Sequence, residues 1–282
     1  ICAGKHTTNS AFLCGTNMVI RRKTLEEVGG LCETNIAEDF LTSLFIHERG
    51  WKSIYVPEVL AVGLAPEDLL SYTNQQFRWA RGGLEVVFRY NPFLRSGLTW
   101  SQRVEYLASA SHWLSGLVIA LSALFPLLYF FFNLTPVRSS NMMLAAIFLP
   151  YMYCVVALLR NSSGATYSFR AIAFSYSCFA LQIRAVCSVL LGIKAGFVVT
   201  SKQRLEGNFI GLAVPHLVYL LLAVVGFLWT YRREGMSPAL AANTTWALFN
   251  LAMFAPYIWA ALPWHAQQSA TVATPAPAPN VP

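Results

Sequence analysis

Charge is scarce in this 282-residue chain. Asp, Glu, Lys and Arg make up 12% of it against 56% hydrophobic residues, and the mean hydropathy is +0.48. Soluble domains carry about 25% charged residues. So little polar surface excludes a water-soluble monomer, a disordered chain and a small disulfide scaffold, and leaves a membrane protein or part of one. Aspartate is scarcer still, at positions 39 and 68 alone, so no Asp-x-Asp pair exists. The six cysteines, Cys2, Cys14, Cys32, Cys154, Cys178 and Cys187, form no CxxC, and three lie in apolar segments. This pattern offers neither a zinc site nor a disulfide frame and fits reduced thiols. No basic run is interleaved with aromatic residues, which excludes a single-strand nucleic-acid binder. The chain opens Ile-Cys-Ala-Gly, with no Met and no signal peptide, in the middle of a soluble pattern. An N-terminal part is expected to be missing.

The charges that are present sit unevenly. Residues 1–105 hold 11 of the 20 Lys and Arg and 11 of the 13 Asp and Glu. The first third therefore reads as soluble and the rest as embedded in a bilayer, with the net +7 collecting in the apolar part. In the first third, Thr24 is expected to cap a short helix ended by Gly29-Gly30, and residues 38–49 to form a second helix stopped by Gly50. Residues 52–56 predict a short strand, and Pro66-Glu67-Asp68 opens a long helix reaching about Arg89. This mixture predicts the end of an α/β domain over 1–105.

A spanning helix needs roughly 20 apolar residues. Stretches near 113–132, 141–159, 209–230 and 240–262 qualify, and together they predict a membrane domain over 106–265. Residues 171–192 are also apolar but carry Gln182 and Arg184 centrally, which predicts an amphipathic helix at the interface. The alternative is a fifth spanning helix with a buried arginine. Arg160, Arg170, Arg184, Lys194, Lys202 and Arg204 place 160–208 on the cytoplasmic side together with residues 1–105. The Ala/Pro/Thr-rich tail 266–282 reads as disordered.

Three groups could carry chemistry. Asp39 follows Glu38 at a helix start, where a carboxylate is ordinarily an N-cap; the functional alternative is a general base held by the helix N-terminus. Gln75, Arg78 and Trp79 stand at i, i+3 and i+4 on one helix face, suited either to a diphosphate and a sugar ring or to membrane anchoring. Phe197-Val198-Val199-Thr200-Ser201-Lys202 offers a hydroxyl and a cation for phosphate, or a plain basic juxtamembrane loop.

Taken in order, Phe12-Leu13-Cys14-Gly15-Thr16, Ala37-Glu38-Asp39, Gln75-Gln76-Phe77-Arg78-Trp79, apolar spans and Phe197-Val198-Val199-Thr200-Ser201-Lys202 resemble the bacterial cellulose synthase catalytic subunits. These are processive, membrane-embedded family 2 glycosyltransferases. The likeness runs from about residue 10 to residue 262. It implies the C-terminal portion of a GT-A-like α/β glycosyltransferase followed by an α-helical transmembrane domain in the plasma (inner) membrane, its catalytic part cytoplasmic. It implies transfer of a sugar from a UDP-sugar, UDP-glucose foremost, to a growing β-glucan that is exported, with an export subunit as partner. Asp39 would be the base acting on the acceptor hydroxyl, with Glu38 its neighbour and Ala37 replacing the usual Thr.

Cys14, Gly15 and Thr16 would lie beside the acceptor sugar, Leu13 replacing a Phe. Gln75 and Arg78 would face the donor and its diphosphate, and Trp79 would stack on the acceptor ring. Phe197, Val199, Thr200 and Lys202 would belong to a gating loop over 193–208 that closes on UDP. Trp113 and Tyr129 would line the glucan channel; the alternative is a membrane aromatic belt. The resemblance also implies Mg²⁺ or Mn²⁺, whose ligands are expected in the missing N-terminal half, so that this polypeptide alone should be inactive. The short tail leads us to expect no cyclic-dinucleotide-binding PilZ domain after the last span. The alternatives are a synthase of mannan, chitin-like, hyaluronan-like or glycolipid product, and a non-catalytic membrane subunit.

Overall fold

The computed structural model describes residues 2–58, 61–135, 141–162, 169–193 and 205–263. Among these residues the regular elements are helical and no strand is formed. The chain divides into two compact units, one from residues 1–118 and 179–205, the other from 119–178 and 206–282.

The first unit holds α1 (Cys2–His6), α2 (Arg22–Val28), α3 (Glu38–Glu48), α4 (Leu69–Glu85), α5 (Trp100–Ser111), the first turn of α6 (Ser115–Phe132) and, later in the chain, α9 (Phe179–Leu190). Local chemistry fixes their ends. Asp68 caps α4 by accepting from the Ser71 amide at 2.7 Å, and Thr99 with Gln102 forms a reciprocal capping box on α5. Gly29 closes α2 at φ 85°. Thr24, the expected cap, lies inside α2 and is buried. The long helix ends earlier than expected, passing into a π-helical turn over Val86–Tyr90.

The α/β character expected of residues 1–105 is not seen in the described residues. The predicted strand 52–56 shows why. The Ser53 amide donates to Asn9 Oδ1 (2.8 Å) and the Tyr55 amide to His6 Nδ1 (3.3 Å), while the Trp51 carbonyl accepts from Asn9 Nδ2 (3.2 Å). Side chains satisfy the groups that a ladder would pair, and a strand exists only with a partner strand.

Two apolar clusters flank α4. One joins Ala37, Phe40, Leu41 and Leu44 of the α3 region to Val86, Leu98 and Tyr106, with the Phe12 ring set edge-on to Phe40 at 5.0 Å. The other joins Ala80 and Leu84 of α4 to Leu181, Ala185, Val186 and Val189 of α9. Gln182 is buried among the latter and accepts from Ser115 Oγ at 3.0 Å, while the Arg184 guanidinium stands 4.6 Å from the centre of the Phe77 ring.

The second unit holds the rest of α6, α7 (Asn141–Ser162), α8 (Phe169–Ser177), α10 (Val214–Glu234) and α11 (Pro238–Ala261). Its core is aromatic but polar. His216 stacks on Tyr257 at 4.7 Å and bonds the Ser177 carbonyl at 2.7 Å, and Tyr176 donates to Asn250 at 2.6 Å. Polar groups inside a helical bundle join helices that apolar contact alone would not select. Three stretches among the described residues are long and apolar enough to cross a membrane: Trp100–Phe132, Phe169–Leu190 and Ile210–Glu234. The first contains the expected span 113–132, and the third covers the expected span 209–230 except for its first residue. The second is the segment expected at the interface, and it is broken at Cys178 into α8 and α9. The expected spans 141–159 and 240–262 fall on the helices α7 and α11, which are not among those three stretches.

His47 holds α3 in place. It is buried, with Nδ1 2.7 Å from the Tyr106 hydroxyl and Nε2 2.9 Å from that of Ser53. Burial lowers its pKa from 6.5 to about 4. Between those values the unfolded chain takes up a proton that the folded chain refuses, so stability falls as pH drops through this window, by about 3 kcal/mol in all. Thermal unfolding in detergent should show His47→Gln losing less stability than the wild type between pH 6.5 and pH 4. Identical pH profiles would remove His47 as a buried neutral group.

Candidate active site

Three segments distant in sequence converge at the start of α3. The Phe12–Thr16 segment runs along this helix, its Leu13 amide donating to Ser43 Oγ at 2.8 Å, and Ser43 Oγ in turn donates to the Asp39 carbonyl at 2.7 Å. That register lays Gly15 on the Asp39 carboxylate. A Cβ at Gly15 would stand 3.1 Å from Asp39 Oδ2, and its φ of +73° is one that side chains rarely adopt. Cys14 and Thr16 on either side are exposed.

α4 arrives from the other side. Gly82 lies so close to Ala37 that a Cβ there would overlap the Ala37 side chain and stand 2.9 Å from the Ala37 amide nitrogen. Asn35 pins the contact, accepting from the Ala37 amide at 2.7 Å and donating to the Gly82 carbonyl at 3.4 Å. Arg78 is one turn before Gly82 on the same helix face. It is near enough to Asp39 for its charge to act on the carboxylate.

Asp39 is not the helix cap; Ala37 occupies that position and makes no side-chain cap. The carboxylate accepts instead from the Phe40 amide at 2.7 Å. Its pKa is raised above the ordinary carboxylate value. Burial is the main cause; the Phe40 amide opposes it, Glu38 adds to it and Arg78 opposes it. The result is a carboxylate more basic than a solvated one, with a guanidinium nearby.

Gln75 is half-buried on α4, and Trp79 is 46% exposed. Trp113 packs on the next turn, its Nε1 3.3 Å from where a Gly83 Cβ would be. Tyr129 belongs to the second unit, where it is buried and donates to Glu234 at 2.6 Å. Phe197, Val199, Thr200 and Lys202 lie outside the described residues. Among the described residues no three His, Cys, Asp or Glu side chains gather as a divalent ion would need. The described residues therefore do not by themselves offer the ligand set that a divalent ion needs.

The family model described as glycosyl transferase family group 2 matches residues 3–160. The chain belongs to this family. It is 32% identical over 262 residues to the cellulose synthase catalytic subunit [UDP-forming] of Pseudomonas fluorescens (strain SBW25), covering 88% of this chain and 35% of that relative. It is 30% identical over 260 residues to cellulose synthase 2 of Novacetimonas hansenii, covering 88% of this chain and 16% of the relative. With cellulose synthase 1 catalytic subunit [UDP-forming] of Komagataeibacter xylinus it shares 29% over 230 residues, 80% of this chain and 31% of the relative. The chain thus spans about a sixth to a third of the length of these family members.

Motif reading did not single out Asn35 and Gly82, which set the distance between α3 and α4, or Gly83, which lies against Trp113. The available signal was the Gly-Gly pair inside a helical pattern, costly unless something approaches closely. Gly82→Val should force α3 and α4 apart and cost about 1–3 kcal/mol, seen as a drop of several degrees in the unfolding midpoint. Gly211→Ala, where a Cβ meets nothing within 4 Å, is the control. Equal midpoints for the two variants would contradict the contact.

Proposed function

We propose that this chain is the part of a processive, inverting family 2 glycosyltransferase that carries the acceptor site. The donor is a UDP-sugar, UDP-glucose in the first instance, the acceptor is a growing β-glucan, and the product is exported across the membrane. The observation that carries this reading is the meeting of Gly15, Asp39 and Arg78 at the start of α3.

The chemistry follows from the residue types. The acceptor hydroxyl oxygen attacks the anomeric carbon, the bond from that carbon to the diphosphate oxygen breaks, and UDP leaves. Asp39 takes the hydroxyl proton, and its raised pKa makes it a stronger base than a solvated carboxylate. Gly15 exposes backbone where a side chain would block the approach to the carboxylate. Arg78, with Gln75, offsets the charge growing on the diphosphate, and Trp79 offers an apolar face to a sugar ring. Cys14, Thr16 and Glu38 surround the acceptor side, and Thr200 and Lys202, with Phe197 and Val199, contribute a hydroxyl and a cation on the nucleotide side. Trp113 and Tyr129 remain assigned to the polymer path. The apolar stretches Trp100–Phe132, Phe169–Leu190 and Ile210–Glu234 support export by the same polypeptide.

In membranes carrying the complete synthase polypeptide, Asp39→Asn should cut incorporation of labelled glucose from UDP-glucose by about 10²-fold or more and leave UDP binding near wild type. In the wild type, transfer should fall as pH drops through the raised Asp39 pKa, because a protonated carboxyl cannot accept the hydroxyl proton. Incorporation by Asp39→Asn within about tenfold of wild type would remove Asp39 as the base. A polymer labelled from another UDP-sugar but not from UDP-glucose would replace glucose with that sugar.

A further inference from the structure

α6 and α10 pack together in the second unit, and part of the surface between them stays open. Along one line they touch. A Cβ at Gly226 would stand 2.8 Å from the Phe130 Cβ, and Thr230 Oγ donates to the Phe130 carbonyl at 2.7 Å. Beside that line lies a groove of about 520 Å³. Leu124, Leu128 and Phe131 form its α6 wall, spaced i, i+4 and i+7, and Leu222 and Trp229 form its α10 wall, spaced i and i+7. Apart from the indole N–H of Trp229 this lining is apolar, and Leu124, Leu222 and Trp229 are exposed.

A cationic end closes the stripe. Arg232 and Arg233 lie in the last turn of α10, one turn beyond Trp229, and both are exposed. Leu222, Trp229 and Arg233 recur at i, i+7 and i+11, so groove and guanidinium share one helix face. The neighbouring Glu234 accepts from Tyr129 at 2.6 Å, and among the described residues neither arginine forms an ion pair. Arginines in a last turn ordinarily answer the free carbonyls of the helix end. That alone leaves the groove beside them unexplained.

Length decides what the groove suits. α10 has 21 residues, about 31 Å of helix, which matches a hydrocarbon core of about 30 Å. The arginines at its end belong at headgroup level. Leu222 lies about 16 Å before Arg233 along the helix, near the bilayer midplane. The groove therefore occupies one leaflet. A helix of another protein crossing the membrane would need a track along the whole of α10, whereas a lipid acyl chain reaches from headgroup to midplane. A planar guanidinium pairs well with phosphate oxygens, and basic residues at this level favour anionic lipids.

We infer that α6 and α10 form a binding site for one anionic phospholipid, with an acyl chain in the groove and the phosphate on Arg232 and Arg233. The Trp229 indole stands between chain and headgroup, the level at which such amphipathic rings are found. The inference does not draw on the transferase reading.

The test uses the complete polypeptide, purified in a neutral detergent. The probe is phosphatidylglycerol with a diazirine midway along one acyl chain. Illumination should label residues 124–132 and 222–229 above all other membrane segments. Unlabelled phosphatidylglycerol should displace the probe at about a tenth of the phosphatidylcholine concentration that does so. It should also raise the unfolding midpoint, as any ligand of the folded state does. Arg232→Gln/Arg233→Gln should weaken labelling of the groove about tenfold and leave the lipid-free midpoint unchanged. Arg232→Lys/Arg233→Lys, which keeps the charge but not the fork, should fall between. Leu222→Trp, which fills the groove, should lose the labelling with both arginines intact.

Labelling spread evenly over the outward faces of the membrane helices, or equal with a phosphatidylcholine probe and in the Arg→Gln variant, shows lipid acting as solvent only and overturns the inference. Groove residues that crosslink to a co-purifying protein and exclude the lipid overturn it too, in favour of a partner helix. Should Leu222→Trp fail to fold, the exposed arginine pair decides by the same outcomes.

Discussion

The enclosure of residues 80–86, the end of α4 and the start of the π-helical turn, is the constraint on which the first unit depends. All seven are buried, and they face neighbours on several sides. Gly82 meets Ala37, Gly83 meets the Trp113 indole, Arg81 bonds the end of α9 as well as Glu85, and Ala80 and Leu84 enter the apolar cluster. A helix crowded on every side has little room for side chains where backbone must approach backbone. Two adjacent glycines inside a helix cost about 1 kcal/mol each relative to alanine. Here they let α3 and the Trp113 turn come into contact with the helix.

That packing places the chemistry. Ala37 is pressed against Gly82, so the first turn of α3 lies beside the turn of α4 that begins at Arg78, and the Asp39 carboxylate shares a site with a guanidinium. Burial alone would drive the Asp39 pKa up; the Phe40 amide and Arg78 hold it back. A base must be basic yet ionised at the working pH, and these opposed influences meet that need. Gly15 completes the site by leaving the carboxylate uncovered on the side of the Cys14–Thr16 segment.

Much of this was legible in sequence because it is local. Asp68 as the start of α4, Gly50 after α3, and the i, i+3, i+4 spacing of Gln75, Arg78 and Trp79 follow from rules acting over a few residues. The motif order then named the family. What was not legible depends on partners far away in the chain. Residues 52–56 have strand-like composition, yet their backbone groups bond Asn9 and His6, a pairing that composition does not encode. Thr24 has the chemistry of a cap but is buried one turn into α2. Arg81 and Glu85 look like an ordinary solvated i, i+4 pair until α9, more than 100 residues later, closes over them. The His216, Tyr176, Asn250 and Tyr257 core of the second unit is hidden for the same reason, since its members sit on three separate helices.

The central claim is that Asp39 is a half-buried carboxylate of raised pKa, held in check by the Phe40 amide and, less strongly, by Arg78. Because the chain holds aspartate only at positions 39 and 68, side-chain ¹³C labelling of aspartate gives two carboxyl signals, and Asp39→Asn identifies one of them. Titrated in detergent, the Asp39 signal should show a pKa above the ordinary value of about 3.9, and Arg78→Met should move it higher still. A signal that titrates at or below the ordinary value and ignores Arg78→Met would contradict the account.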